Sequence, residues 1–185
     1  VRKLKLQELG RHTVESFSSE VKQPITIVLD DIRSALNVGS VFRTADAMAI
    51  EQVVLCGITP QPPSRDITKT AIGATKSVKW TYVEHIKSAL EKLRSEGYTI
   101  ISIEQTSESV ELLKYADVPE KLAIIMGNEV NGVSEAALEL TDTAIELAQY
   151  GTKHSLNVSV CAGIVMHHFG NIYRRRLCSL SSTKK

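Results

Sequence analysis

This sequence of 185 residues lacks the usual nucleotide signatures: no G-x-G-x-x-G follows its first apolar segment, and no G-x-x-x-x-G-K-[ST] occurs anywhere. The absences argue against a common dinucleotide site or a P-loop. No apolar run approaches the roughly 20 residues that a membrane helix requires, so no anchor is expected. The opening VRKLKLQELGRHTVESF mixes charge with Leu and has neither a continuous apolar core nor a small-residue cleavage site. It does not read as a secretory signal, and a cytoplasmic location is the expectation. Three cysteines, Cys56, Cys161 and Cys178, are odd in number and widely spaced. That excludes a zinc knuckle or a disulfide framework and predicts reduced, buried thiols. His167 and His168 are adjacent, which on a helix points them about 100° apart, so no metal site is expected. The net charge is only +1, with cations crowding the two ends: Arg2, Lys3, Lys5 and Arg11, then Arg174, Arg175, Arg176, Lys184 and Lys185. Such clusters either meet phosphates or simply solvate chain ends.

What is present suits an ordinary globular domain, with 43% hydrophobic and 23% charged residues. The length fits one domain with a full core. The expected division is an N-terminal helical extension over 1–22, a main domain over 23–175 and a basic tail over 176–185. Leu6, Leu9 and Val14 suggest a leading helix from Leu4 to Ser19. Buried strands are predicted at Ile25–Asp30, Glu51–Cys56, Tyr98–Ile103, Lys121–Met126 and Thr143–Leu147. Helices are predicted through Val41, Ala45 and Met48, over Val83–Ser95, near Ser134–Leu140 and from about Asn157 to Arg174, with a helical turn at Val110–Leu113. GITPQPPSRD reads as a loop long enough to be functional, and Ala71–Trp80 as a linker into an extended piece. Strands alternating with helices indicate an α/β fold: a mostly parallel sheet covered on both faces, with the site at the carboxyl ends of the strands.

Three clusters carry the chemistry. GTKHSLNVSVCAGI, Gly151–Ile164, places small polar residues ahead of an apolar helix, with Ser155 as the expected cap and Leu156, Val160 and Ile164 as the start of its apolar face. A capped core helix explains it as well as a ligand site does. GNEVNG, Gly127–Gly132, has Walker glycine spacing, but Val133 stands where a lysine would meet phosphate, and Glu129 lies between the glycines. The turn is either structural or a place where backbone approaches a ligand. In NVGSVFRTAD, Asn37 is a good N-cap and Arg43 follows six residues later, where a salt bridge to Asp46 or Asp30 is the simplest partner.

Together, in order and spacing, NVGSVFRTAD, IIMGNEVNGVS and GTKHSLNVSV resemble the three motifs of the SpoU (TrmH-like) branch of the SPOUT RNA methyltransferases. The resemblance runs from Ile25 to about Phe169. It implies a C-terminal deep trefoil knot, a homodimer, and transfer of a methyl group from S-adenosylmethionine to a ribose 2′-hydroxyl of RNA. Residue by residue it implies Asn37 and Arg43 from the first motif, Glu129 from the second, and Ser155 and Asn157 from the third as the catalytic set. It further implies Gly127, Leu147 and Leu156 as cofactor contacts, with Glu104 at another strand end as an added candidate. Leu147, Ala148 and Gln149 stand where many members read Ile-Pro-Met, so the cofactor loop departs from the family at Ala148. A guanidinium is a poor base, so Arg43 is expected to orient the attacking hydroxyl with Asn37, while Glu129, Ser155 and Asn157 shape the donor pocket. A guanosine of tRNA is the expected target, with the basic termini on phosphates. An rRNA substrate, or a catalytically silent RNA-binding protein, is the alternative.

Overall fold

The computed structural model describes residues 1–182, with side chains placed for all of these except Leu6 and residues 177–182. Lys184 and Lys185 lie outside the described residues. Seven strands make one sheet in the order β3-β2-β1-β6-β4-β7-β5, every neighbouring pair parallel. They are β1 (Gln23–Asp30), β2 (Ile50–Cys56), β3 (Lys79–Val83), β4 (Thr99–Ile103), β5 (Val110–Glu111), β6 (Leu122–Met126) and β7 (Thr143–Glu146). The helices are α1 (Val14–Ser18), α2 (Ala35–Ala47), α3 (Arg65–Ala71), α4 (Ile86–Ser95), α5 (Glu135–Leu138) and α6 (Val158–Ser182).

Because side chains alternate along a strand, the in-register rows divide cleanly between the two faces. Val53, Ile27, Ile124 and Ile101 form one row, under α2, α3 and α6. Val54, Val28 and Ile125 form the next row, on the opposite face under α4 and α5, which Ser102 continues. Burial on both faces explains why the strands read as continuous apolar runs. Pro24 sits inside β1 at the point where the pairing with β2 shifts register, where a missing N–H costs no ladder bond.

The expected leading helix is broken. Leu6–Leu9 is a 3-10 turn, Gly10 adopts φ 56°, and α1 is five residues long. The expected loop after β2 is irregular from Gly57 to Ser64, but its last two residues open α3, and the expected linker carries a 3-10 turn at Ala74–Lys76. The Val110–Leu113 segment is a two-residue strand followed by a 3-10 turn. Val83 ends β3 and does not open the following helix. Helix α6 runs on to Ser182, past position 176 where a separate tail was expected. No helix among the described residues is long and apolar enough to cross a membrane.

The chain reaches β3 at one edge and returns to lay β6 beside β1, so the strand order reverses there. In open α/β sheets such reversal leaves a crevice at the carboxyl ends of the strands.

Candidate functional site

At that end of the sheet the loops leaving β4, β6 and β7 enclose a cavity of about 630 Å³, within the range of small-ligand pockets. Its walls include Glu104, Gly127, Val133, Leu147, Ser155 and Leu156. The loop after β6 is built by its own backbone and by Asn128. The Asn128 and Gly132 main chains exchange hydrogen bonds of 2.9 and 3.0 Å, and Asn128 Oδ1 accepts from the N–H groups of Val130 and Asn131. Asn128 Nδ2 donates to the Asp31 carbonyl at 2.5 Å, which pins the loop to the end of β1. Gly127 has no room for a side chain, since a Cβ would lie 2.2 Å from Val133 N and 2.3 Å from Gly132 C. Glu104 closes the far side, accepting from Val133 N at 2.9 Å and from Gln105 N at 2.9 Å.

The same loop reaches α2. Glu129 accepts hydrogen bonds from Arg33 N (2.8 Å), Ser34 N (3.1 Å) and Asn37 Nδ2 (2.9 Å). Asn37 Oδ1 in turn accepts from Asn157 Nδ2 at 3.2 Å, so one residue from each of the three motifs joins a single chain of contacts. Asn157 also caps α6, its Oδ1 accepting from Ser159 N, Ser159 Oγ and Val160 N. Partial burial raises the pKa of Glu129, but the donors from Arg33, Asn37 and Ser34 outweigh it and hold the carboxyl below its ordinary value. The carboxylate therefore fixes the second-motif loop against the start of α2, where it also opposes the helix dipole favourably.

The loop before α6 is held differently. Among the described residues, 148–156 make no turn-closing backbone hydrogen bond. Gln105 Nε2 ties it down by donating to the His154 carbonyl at 2.8 Å. Its other N–H donors and C=O acceptors, beside the apolar walls of Leu147 and Leu156, are placed to meet a polar, flat ligand.

Residues 24–167 match the family model of the SpoU rRNA Methylase family. The chain belongs to this family. It is 30% identical over 155 residues to the 23S rRNA (guanosine-2′-O-)-methyltransferase RlmB of Neisseria meningitidis serogroup B, covering 84% of this chain and 61% of that protein. It is 28% identical to the putative TrmH family tRNA/rRNA methyltransferase YacO of Bacillus subtilis, over 84% of this chain and 60% of the relative. The chain thus spans about three fifths of the length of these curated relatives. Among solved structures it superposes on the A. aeolicus TrmH/SpoU tRNA modifying enzyme with a TM-score of 0.78 at 22% identity, covering 88% of this chain and 82% of that one. The AdoMet-bound rRNA methyltransferase from Sinorhizobium meliloti gives 0.75 at 21% identity, over 87% and 60%. At these identities the structural likeness establishes the fold.

Within this SpoU fold, three of the motif residues come together and others do not. Asn37 is not the cap of α2, because Ser34 caps it by accepting from Asn37 N at 3.3 Å. Ser155 caps nothing; it is exposed on the pocket wall, and among the described residues its hydroxyl makes no hydrogen bond. Leu156, Val160 and Ile164, expected to begin the buried face of α6, are 40%, 53% and 43% exposed. The buried face is Val158, Ala162, Val165, Met166, Phe169 and Tyr173. Arg43 is exposed and, among the described residues, forms no ion pair, so neither Asp30 nor Asp46 is its partner. Asp30 accepts from Ser134 N, and Asp46 accepts from Ser77 Oγ. Six residues after Asn37, Arg43 projects roughly 120° away from it around the helix and is absent from the pocket wall.

Two residues that sequence reasoning passed over matter as much. Asn128 was legible as a turn former after a strand-ending Gly. Gly39, inside NVGS, lets α3 press against α2: a Cβ there would meet Thr70 Oγ1 at 2.1 Å and the Ile67 carbonyl at 2.4 Å.

Proposed function

We propose that this chain is an S-adenosylmethionine-dependent RNA 2′-O-ribose methyltransferase that works as a homodimer. The observation that carries this reading is the linkage of Glu129, Asn37 and Asn157 at the rim of a cavity with apolar walls and uncommitted backbone. S-adenosylmethionine supplies the electrophilic methyl group when bound. The residues fit its adenosine: Leu147 and Leu156 offer apolar walls, the 148–156 backbone offers hydrogen bonds to a purine edge, and Glu104 and Gly127 set the shape of the loop beneath. Asn37 and Asn157, bonded to each other, hold the first and third motifs in place at the rim, and Arg43 orients the attacking hydroxyl and stabilises the charge that develops on it.

The homodimer rests on an apolar stripe. Leu36 on α2, Leu156 just ahead of α6, and Val160 and Ile164 on α6 are each at least 40% exposed, and α2 and α6 lie against each other through Gly163 and Gly170, beside Thr44 and Met48. A self-complementary patch of this kind suits a two-fold contact. We infer that Arg43, exposed on α2 and outside the pocket wall of its own chain, serves the pocket of the second copy.

For the RNA, we favour rRNA over tRNA, since the relatives matched over most of this chain include enzymes named for guanosine 2′-O-methylation of 23S rRNA, while others are named tRNA/rRNA methyltransferases. The tRNA reading stands second, on the likeness to a tRNA modifying enzyme. The test is methyl incorporation from labelled S-adenosylmethionine into purified 23S rRNA and tRNA, followed by ribose mapping. Incorporation into one at a guanosine 2′-oxygen is expected. Cofactor binding with no methylated RNA of either kind would overturn the reading in favour of a silent RNA-binding protein.

A further inference from the structure

We infer that α3 and the 3-10 turn after it form a phosphate track, Arg65, Lys69 and Lys76, that seats the RNA backbone beside Arg43; this rests on the RNA reading above. The segment from Gly57 to Lys76 has no part in the pocket, yet it is held at several points. Asp31 Oδ1 accepts from Ile58 N at 2.9 Å. The Thr59 hydroxyl, 2% exposed, donates to the Leu29 carbonyl and accepts from Ile32 N. Thr70 Oγ1 donates to the Leu36 carbonyl at 3.0 Å, and Ser77 Oγ donates to Asp46. The close approach at Gly39 locks α3 along α2.

Helix α3 turns Ile67 and Ala71 into the core. Arg65 and Lys69, four residues apart, share a different side of the helix and are exposed, as is Lys76 on the next turn. Among the described residues none of these three side chains forms an ion pair, and neither does Arg43. Asp66 is the acid of α3, and Asp46 is already engaged by Ser77. Helix α2 packs against both α3 and the 3-10 turn, so exposed Arg43, Arg65, Lys69 and Lys76 lie on three adjoining elements. A rigidly held row of unpaired cations next to a reactive Arg suits a polyanion whose backbone must be placed in one register.

Two of the terminal cations are already engaged. Arg176 donates to the Val118 and Pro119 carbonyls, and Arg2 pairs with Glu8. The test measures RNA affinity against salt for the wild-type chain, for the triple variant R65Q/K69Q/K76Q and for R174Q/R175Q, together with methylation kinetics and cofactor affinity. Each lost phosphate contact should lower the log–log salt slope by about 0.7 to 0.9, so the triple variant should lose about 2 to 3 and R174Q/R175Q nothing. The RNA KM should rise about tenfold or more at roughly 0.1 M salt with kcat and cofactor affinity unchanged, and R65K should behave as wild type. A triple variant with the wild-type slope and KM overturns the track while methylation by the wild-type chain leaves the enzymatic reading standing. A slope lost in R174Q/R175Q instead overturns it in favour of the terminus. Absence of RNA binding and methylation by the wild-type chain overturns both.

Discussion

Glu129 and Asn37 lie 92 positions apart in the sequence and 2.9 Å apart in the fold, the carboxylate accepting from the amide. With Arg33 N and Ser34 N also donating to it, Glu129 holds two motifs together as a structural clamp at the rim of the pocket. Hydrogen bonds to charged groups contribute about 1.5–3 kcal/mol each when buried, and Glu129 is only partly buried. Glu129→Ala is therefore expected to cost about 2 kcal/mol in urea unfolding. It should weaken cofactor binding as well, because the 127–132 loop loses its tie to α2. Unchanged unfolding and cofactor affinity would show that the clamp is idle.

The same carboxylate gives a pH dependence with a defined sign. Its folded pKa lies below the ordinary value of 4.5, since the donors around it outweigh burial. The folded state therefore binds that proton less readily than the unfolded state. The stability it contributes is complete above the ordinary carboxylate range and is lost as pH falls through the lowered folded pKa. Unfolding free energies of the wild type and Glu129→Gln should be furthest apart near neutral pH and converge as the pH drops below about 4. A gap that stays constant to pH 3 would exclude the titration.

Gly39→Ala tests the packing of α3 on α2. The added Cβ meets Thr70 Oγ1 at 2.1 Å and the backbone carbonyl of Ile67 at 2.4 Å. Overpacking of this kind costs about 1–3 kcal/mol, read as a fall in the urea midpoint. Adding Thr70→Ala removes the softer contact and leaves the backbone one, so the double variant should recover little. A Gly39→Ala protein with wild-type stability would mean that α3 can back away freely.

Much of this was legible in the sequence, for physical reasons that differ by element. The strands Ile25–Asp30 and Lys121–Met126 are buried on both faces, and such runs admit few alternatives. The family resemblance singled out Asn37, Glu129 and Asn157, but only the fold shows that they bond to one another. Helix α3 was hidden because Gly57, Pro60, Pro62 and Pro63 precede it and mask a short helix behind loop composition. The rotation of α6 was misread because both of its sides are apolar: Leu156, Val160 and Ile164 recur at fours as regularly as Val158, Ala162 and Met166. A period identifies a helix but cannot choose between two apolar stripes when one is buried in the core and the other is exposed.

Arg43 supplies the sharpest test of the dimer. It lies on the outer side of α2 and outside its own pocket wall, so a second copy across the Leu36, Val160 and Ile164 stripe would bring it to the reacting ribose. Arg43→Ala should abolish methylation and leave cofactor binding intact. Ser155→Arg should block the pocket without harming the fold, because the Ser155 side chain is exposed and has no hydrogen bond to lose. When the two inactive variants are mixed and allowed to exchange subunits, half of the dimers are mixed. Each mixed dimer has one pocket facing one intact Arg43, so activity should return to about a quarter of wild type. Introducing Val160→Glu into both variants should abolish that recovery and shift the chain toward monomer in sedimentation. A mixture that stays inactive while subunits demonstrably exchange would place Arg43 at the pocket of its own chain.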